Sequence, residues 1–350
     1  MNGLGGQMHQ PSQGHLDIVC IIPEPGGGWS PITHMVRLAS RLLDARLTFI
    51  HPAKTPSIGR RALSQCPRLR RGERTLLAIV ALPSNMVDLV SREWFLGYRR
   101  VAVWVIDDFW VEFMPRMARR NRTIDHVFVM NGEVLDEYRD CLRVPVTLVP
   151  WGTDTRHPSL TAGRESPDRT IDVLRLGRQP RVWADDASNR EYFAGRGITY
   201  AGRFPMLDDA EENHRMVFER LATSKIALAS SSSASPADYT HDSREYITAR
   251  WCDAMAAGTL VAGVLPECQA AQLLPAQGLI RMPVGSRREG LPVLRRALAE
   301  WNPSTARAIR ESAVLTLDWR HRFATITRSL GLRSIKLERE LAQLLTHPEA

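Results

Sequence analysis

Short apolar runs alternate along the chain with longer segments whose apolar residues recur at helical spacing. Residues 16–22 form the first run, and residues 31–43 then place apolar side chains three and four positions apart. A short apolar run is typical of a buried parallel strand, whereas the second spacing is typical of an amphipathic helix. The alternation predicts an α/β protein with parallel sheets. Further short runs occur at residues 75–81, 100–106, 126–130, 146–150, 171–176, 226–229 and 259–263.

A polar segment at residues 156–170 divides these elements into two groups. It contains Pro158, Gly163 and Pro167, which favour a linker. A length of 350 residues also suits two domains better than one. Residues 1–14 are polar and glycine-rich without the pattern of a signal peptide, so we predict a disordered leader. We predict domains at residues 15–155 and 171–318, followed by helices at 319–350.

Residues 242–258 carry two acids within a largely apolar helical pattern. Gly258 would end this helix, and a short buried strand would follow. Seven residues separate Glu245 from Asp253, so the two side chains differ by about 80° beyond two full turns and can border one cleft. Burying an unpaired carboxylate is costly, so a functional role is one explanation. A core helix with a salt-bridged acid at each end is the other.

This stretch resembles the donor-binding helix of retaining glycosyltransferases of the GT-B fold, the family 4 group and its relatives. Their motif is Glu, seven residues, Glu, and then Ala-Met-Ala-x-Gly-x-Pro-Val. Here Glu245 and Asp253 are followed by Ala-Met-Ala-Ala-Gly-Thr-Leu-Val, so the second acid is Asp and the proline is Leu260. The resemblance implies two Rossmann-like domains facing a central cleft, with a C-terminal helix crossing back to the first domain.

A second block of the sequence supports this resemblance. Pro150, Gly152 and Asp154 match the Pro-x-Gly-x-Asp sequence that these enzymes carry just before the interdomain linker. Asn131 stands where they have a small polar residue. Taken alone, Pro-x-Gly-x-Asp is also typical of a plain turn.

The resemblance places the donor site in the second domain. It implies that Arg178, after the first strand of that domain, pairs with the donor diphosphate. The lysine that the family carries five positions later is Trp183 here. Arg181 is the candidate substitute, since arginine can hold a phosphate through two hydrogen bonds.

The acid-bearing helix would supply the other donor contacts. The resemblance implies that Glu245 contacts the donor sugar as a catalytic residue and that Asp253 accepts hydrogen bonds from the ribose. Tyr246 would border the donor. Backbone N–H groups near Gly258 and Thr259 would help to hold the diphosphate.

The first domain would hold the acceptor. The loop Gly26-Gly27-Gly28 follows the first strand but lacks the Gly-x-Gly-x-x-Gly fingerprint, so the sequence does not predict a dinucleotide site there. The resemblance implies that this loop faces the acceptor. His34, close to this loop, is a second catalytic candidate that would orient or deprotonate an acceptor hydroxyl. A histidine at the start of a helix is also commonly just solvated.

Asp107 and Asp108 follow the strand at residues 100–106. Adjacent carboxylates there can bind a metal, contact a substrate or cap a helix. We favour a cap or an acceptor contact, because the spaced Asp-x-Asp of metal-dependent glycosyltransferases is absent and no cluster of His, Cys or Asp has ligand spacing. The sequence therefore predicts no metal, and no cofactor besides the nucleotide-sugar co-substrate.

The charge of the chain is unevenly distributed. The net charge is +8, and residues 37–74 hold ten Lys or Arg against two acids. Such a patch can attract an anionic acceptor, an anionic membrane surface or nucleic acid, or it can be a solvated basic face. No helix-turn-helix, zinc or RNP motif favours nucleic acid. Five scattered cysteines and no apolar run of membrane-spanning length predict a cytoplasmic protein, free or peripheral to a membrane.

The resemblance implies a glycosyltransferase of the hexosyltransferase type. It would move a sugar from a nucleotide-sugar donor to an acceptor hydroxyl, with retention of configuration and without a metal. The alternatives are a sugar-nucleotide epimerase or hydrolase of the same fold, and a non-catalytic nucleic-acid-binding protein.

Overall fold

The apolar runs of the first half form one parallel sheet. The computed structural model describes residues 15–52, 72–89, 97–114, 122–160 and 169–346, together with residues 59, 62 and 66. The strands are β1 (Leu16–Ile21), β2 (Arg46–Ile50), β3 (Arg74–Val80), β4 (Tyr98–Val105), β5 (His126–Val129) and β6 (Val146–Leu148). They lie in the order β2-β1-β3-β4-β5-β6, and each adjacent pair is parallel.

Both faces of this sheet are buried, which explains why its strands read as continuous apolar runs. On one face, Ile18 and Cys20 of β1 pack with helix α1 (Ser30–Leu43). On the other face, Val19 and Ile21 belong to the cluster that contains Tyr138 of helix α2 (Leu135–Cys141). The predicted first strand and first helix are therefore confirmed.

The second half forms a sheet of the same kind. Its strands are β7 (Ile171–Arg175), β8 (Tyr200–Ala201), β9 (Ser224–Leu228), β10 (Leu260–Gly263) and β11 (Leu279–Arg281). Their order is β11-β10-β9-β7-β8, again with parallel pairing. The helices around it are α3 (Asp186–Ala194), α4 (Ala210–Ala222), α5 (Ala249–Ala256), α6 (Arg287–Glu300) and α7 (Pro303–Leu317).

The C-terminal segment crosses back to the first sheet, as predicted. Asp318 caps helix α8 (Trp319–Leu330), which is followed by α9 (Ile335–Thr346). Trp319, Phe323 and Ile326 of α8 are buried in the core of the first half. The crossing is secured at Thr153, whose backbone N–H donates to the Leu317 carbonyl at 2.8 Å and whose carbonyl accepts from Trp319 at 2.9 Å.

The helix predicted at residues 242–258 is shorter than expected. Helix α5 begins only at Ala249, and Thr248 before it has an extended backbone with φ −134° and ψ 176°. Glu245 therefore lies in the preceding loop, where its carboxylate accepts hydrogen bonds from the N–H groups of Ser233 at 3.0 Å and Glu267 at 2.7 Å. These contacts between distant parts of the chain outweigh the local helical pattern.

Three sequence predictions fall outside the described residues. They are the disordered leader at 1–14, the greater part of the linker at 161–168, and the stretch 53–71 of the basic patch apart from residues 59, 62 and 66. The described cations of the patch are all paired: Arg37 with Glu211, Arg41 with Glu340, and both Arg46 and Arg74 with Asp17. No helix among the described residues has the length and apolarity needed to cross a membrane.

Candidate active site

A cavity of about 520 Å³ lies between the two halves of the molecule. Loops at the carboxyl ends of parallel strands surround it, which is the usual position of a ligand site in such sheets. The first half contributes Glu24, Gly28, Trp29, Pro31, Ile32, Ile106, Asp107, Phe109, Met130, Asn131 and Trp151. The second half contributes Gly177, Arg178, Tyr239 and residues 246–250.

Two arginines of the second half face this cavity. Arg178 follows β7, and its Nε and Nη1 atoms are buried without a hydrogen-bond partner among the described residues. Its guanidinium lies 4.6 Å from the centroid of the Tyr239 ring. Arg250, in the first turn of α5, donates to two neutral groups of the described chain, the Thr248 hydroxyl at 3.2 Å and the Ser230 carbonyl at 3.3 Å.

These two cations repel each other. Burial, together with the charge of Arg178, lowers the pKa of Arg250 to about 10. Gly177 permits the arrangement: its φ is +74°, and a Cβ there would lie 3.1 Å from Nη1 of Arg250. The N-terminal end of α5 adds its own partial positive charge to the same wall. A site that gathers uncompensated positive charge and orphaned donors is suited to a multiply charged anion.

Arg250 replaces Arg181 as the second cation of the site. Arg181 is exposed at the start of the single turn Arg181–Trp183 and is not among the residues that line the cavity, whereas Trp183 at the end of that turn is buried in the core. The expectation that Arg181 substitutes for the missing lysine therefore has no geometric support. A signal for Arg250 was present, since it is the only basic residue in the apolar stretch 246–257.

Gly258 and Thr259 are not positioned to hold a diphosphate. They follow the C-terminal end of α5, opposite the end that faces the cavity. The Gly258 N–H donates to Met255 and the Thr259 N–H to Ala254, both at 2.9 Å, so neither donor is free. The separate prediction that Gly258 ends the helix is confirmed, because Gly258 has a left-handed φ of +69°.

The two acids of the predicted motif lie outside the cavity lining. Asp253 is 3% exposed and accepts a hydrogen bond of 2.6 Å from the Thr153 hydroxyl, and burial raises its pKa to about 7. Burial would also raise the pKa of Glu245, but hydrogen bonds from Ser233 and Glu267 lower it. The structure thus makes Asp253 a contact between the two halves and Glu245 an organiser of its loop. Their sugar and ribose roles stay predictions.

Asp107 and Asp108 occupy different environments. Asp108 is buried and accepts hydrogen bonds from the N–H groups of Met130 at 2.5 Å and Asn131 at 2.9 Å, so it joins the ends of β4 and β5. It does not line the cavity and caps no described helix, which corrects that part of the expectation. Asp107 does line the cavity, and burial raises its pKa to about 7. Asp107 and Glu24 are the two acidic residues in the described cavity lining.

The glycine loop contributes to the cavity only in part. Gly28 and Trp29 line it, whereas Gly26 and Gly27 do not. Gly26 instead lies against the second half, where a Cβ would come within 2.6 Å of the Asp208 carbonyl oxygen. An acceptor-side role for Gly26 and Gly27 therefore stays a prediction.

His34 lies between two carboxylates outside the cavity lining. Its Nδ1 is 2.9 Å from Glu211 and its Nε2 is 3.3 Å from Asp154. Burial would lower the pKa of His34, but the hydrogen bonds and charges of Asp154 and Glu211 raise it to about 9. An imidazolium that donates from both nitrogens has no free lone pair, so this geometry does not support His34 as a general base.

His34→Gln should lower the free energy of unfolding by about 2 kcal/mol at pH 6 and by much less at pH 10. The pKa is raised in the folded state, so the stabilisation is complete below the ordinary value of 6.5 and is lost as pH rises through about 9. Denaturant unfolding at both pH values measures this, with exposed His15→Gln as the control. A loss of equal size at pH 6 and pH 10 would contradict it.

Solved glycosyltransferases have a similar fold. Sucrose-phosphate synthase from Thermosynechococcus elongatus aligns over 91% of this chain and 98% of its own with 13% identity and a TM-score of 0.51. HepE from Anabaena, solved with UDP and glucose, aligns over 90% and 99% with 11% identity and a TM-score of 0.51. An alpha-glucosyltransferase solved with UDP and a 13-mer DNA aligns over 90% and 99% with 11% identity and a TM-score of 0.53.

The class of fold follows from these similarities. No protein-family model matches the sequence, and no curated protein sequence matches it significantly. The chain has the two-domain GT-B architecture of these enzymes, in agreement with the prediction. The narrower resemblance to the family 4 group stays a prediction.

Proposed function

We propose that the protein is a glycosyltransferase that transfers a sugar from a nucleoside diphosphate sugar to an acceptor hydroxyl. The observation that carries the proposal is the pair Arg178 and Arg250, which face an interdomain cavity with no carboxylate partner among the described residues. Two half-buried cations and the start of a helix match the charge of a diphosphate.

The arginine pair would act on the leaving group. Negative charge develops on the diphosphate as the glycosidic bond breaks, and preorganised cations stabilise that charge more than they stabilise the bound donor. We extend the proposal to a reaction that needs no metal and no further cofactor, because these cations can neutralise the leaving group themselves. Retention of configuration is part of the proposal and rests on the resemblance of residues 245–261.

Asp107 would serve the acceptor side of the same cavity. It belongs to the first half and lines the cavity together with Trp29 and Phe109. Its ionised carboxylate would accept a hydrogen bond from the reacting hydroxyl. An anionic or membrane-borne acceptor would be attracted by the basic patch at residues 37–74, of which residues 53–71 lie outside the described structure apart from residues 59, 62 and 66.

A panel of nucleotides tests the proposed function. At least one nucleoside diphosphate should raise the melting temperature, whereas the matching nucleoside should not, because the diphosphate engages the arginine pair. A ligand at 100 times its dissociation constant adds about 2.7 kcal/mol of stability. The panel should contain the uracil, guanine, adenine and thymine diphosphates, each with its nucleoside as control. No shift with any diphosphate would contradict the proposal.

A further inference from the structure

Residues 239–248 of the second half, called the strap here, reach across to the first half. Arg244 makes the principal contact. Its Nη2 lies 3.0 Å from both carboxylate oxygens of Glu137 on α2, and its Nη1 donates to the Phe109 carbonyl. The same Nη1 lies 3.4 Å from Glu112. One guanidinium therefore binds three separate groups of the opposite half.

Two further contacts hold the strap on either side of Arg244. The Tyr246 ring stacks on the Phe109 ring, with centroids 3.9 Å apart and planes 6° from parallel. His241 Nε2 lies 3.1 Å from Glu112, while His241 Nδ1 accepts from the Arg244 N–H at 3.1 Å. The strap is thus attached at three successive places, all on loops and helices of the first half.

The strap also forms part of the cavity wall. Tyr239, Tyr246 and Thr248 line the cavity, and Arg250 follows two residues after the strap ends. The Thr248 hydroxyl accepts from Nε of Arg250, so the conformation of the strap bears directly on one of the two cations of the anion site. Attachment of the strap to the first half and placement of Arg250 are therefore linked through the short segment that joins Arg244 to Arg250 and through the Thr248 hydrogen bond.

The contacts of the strap are of a kind that can open and close. The side chains of Arg244, Glu112 and Glu137 retain 26%, 45% and 46% of their exposure, so solvent screens their charges. A ligand cavity enclosed from both halves requires such reversible contacts for entry and release. A fully buried ion pair would instead have resisted opening.

The geometry points to the strap as a closing device, with Arg244 as the positioning residue that couples domain closure to the anion site. When Arg244 is released from the first half, the ligand can enter or leave the cavity. When Arg244 binds Glu137 and Glu112, Thr248 and Arg250 are held in the positions that bind the ligand. The ligand named here, a nucleoside diphosphate, rests on the proposed function. The coupling between the strap and the first half does not.

Arg244→Ala tests the device by two measurements. Hydrogen exchange of the ligand-free protein should be at least about tenfold faster at residues 239–248, because the attached state becomes less populated. Binding of the nucleoside diphosphate selected by the panel, measured by calorimetry, should weaken by about tenfold, since only the attached fraction binds. Arg139→Ala is the matched control, because Arg139 lies on the same helix as Glu137 and, within the described part of the chain, pairs only with Asp136.

A charge exchange separates positioning from general damage. Glu137→Arg alone should behave like Arg244→Ala, and the double variant Arg244→Glu with Glu137→Arg should regain part of both the exchange protection and the affinity. Unchanged exchange in Arg244→Ala, or faster exchange with unaltered nucleotide affinity, would overturn the inference. Failure of the wild-type protein to bind any nucleoside diphosphate would instead contradict the proposed function, and the exchange measurement distinguishes the two.

Discussion

Arg178→Met should weaken binding of the nucleoside diphosphate by about 10- to 100-fold, because it removes a charge-assisted hydrogen-bonding group worth about 1.5–3 kcal/mol. Arg250→Met should have an effect of the same order. Affinity for the corresponding nucleoside, which lacks phosphates, should stay unchanged in both variants. Titration calorimetry with the diphosphate and the nucleoside measures the two effects separately.

Arg178→Met should also make the ligand-free protein more stable. Arg178 has buried donors without a partner among the described residues, and its charge opposes that of Arg250. Removing it should therefore raise the melting temperature while affinity falls, which is the behaviour of a binding residue and not of a structural one. Arg181→Met, on an exposed turn near the same loop, should change neither property. A melting temperature lowered by Arg178→Met would argue that the arginine holds the fold together.

The fold was predictable because its signals are local. The continuous apolar run of β1 and the helical spacing of α1 each identify an element without reference to the rest of the chain. Gly258 marked the end of α5 for the same reason, since a left-handed residue after a helix favours glycine. These local preferences agree with the packing of the core, so the predicted elements form in the folded protein.

The site was harder to predict because its geometry depends on distant contacts. Glu245 reads as helical, yet the N–H groups of Ser233 and Glu267 hold it in a loop. Trp183 stands where the resemblance places a lysine, and sequence distance suggested Arg181 as its substitute. In the folded chain, Arg250 is the arginine that packs against Gly177 and lines the cavity. A motif fixes which segments approach one another and leaves open which side chains reach the cavity.

The environment of His34 also depends on residues that are distant in sequence. Its position after a glycine loop suggested a catalytic base near the acceptor. The structure instead surrounds it with Glu211 from α4 and Asp154 from the end of the first half, neither of which is near in sequence. Only the folded chain reveals that both ring nitrogens are occupied.

Asp107→Asn should lower kcat/KM of sugar transfer by about 10- to 100-fold while leaving nucleotide affinity unchanged, because a charged acceptor of the reacting hydroxyl's hydrogen bond is lost. In the wild-type enzyme, kcat/KM should rise with pH through about 7, where Asp107 ionises. The variant should lack this step. A pH profile of initial rates for both enzymes, with any active donor and acceptor, measures it.

The stability of Asp107→Asn supplies an independent test that needs no substrate. Burial raises the pKa of Asp107 from 3.8 to about 7 in the folded protein, so the folded state holds its proton more tightly than the unfolded state does. The stability of the wild-type protein should therefore fall as pH rises from about 4 through 7, and asparagine removes this penalty. The variant should melt at a higher temperature than the wild type at pH 8 and at nearly the same temperature at pH 4. Asp136→Asn, on the exposed surface of α2, is the control. Equal melting temperatures of the wild-type protein and Asp107→Asn at pH 8 would mean that the Asp107 carboxylate already has a partner in the folded protein. It would then not be free to bind an acceptor hydroxyl.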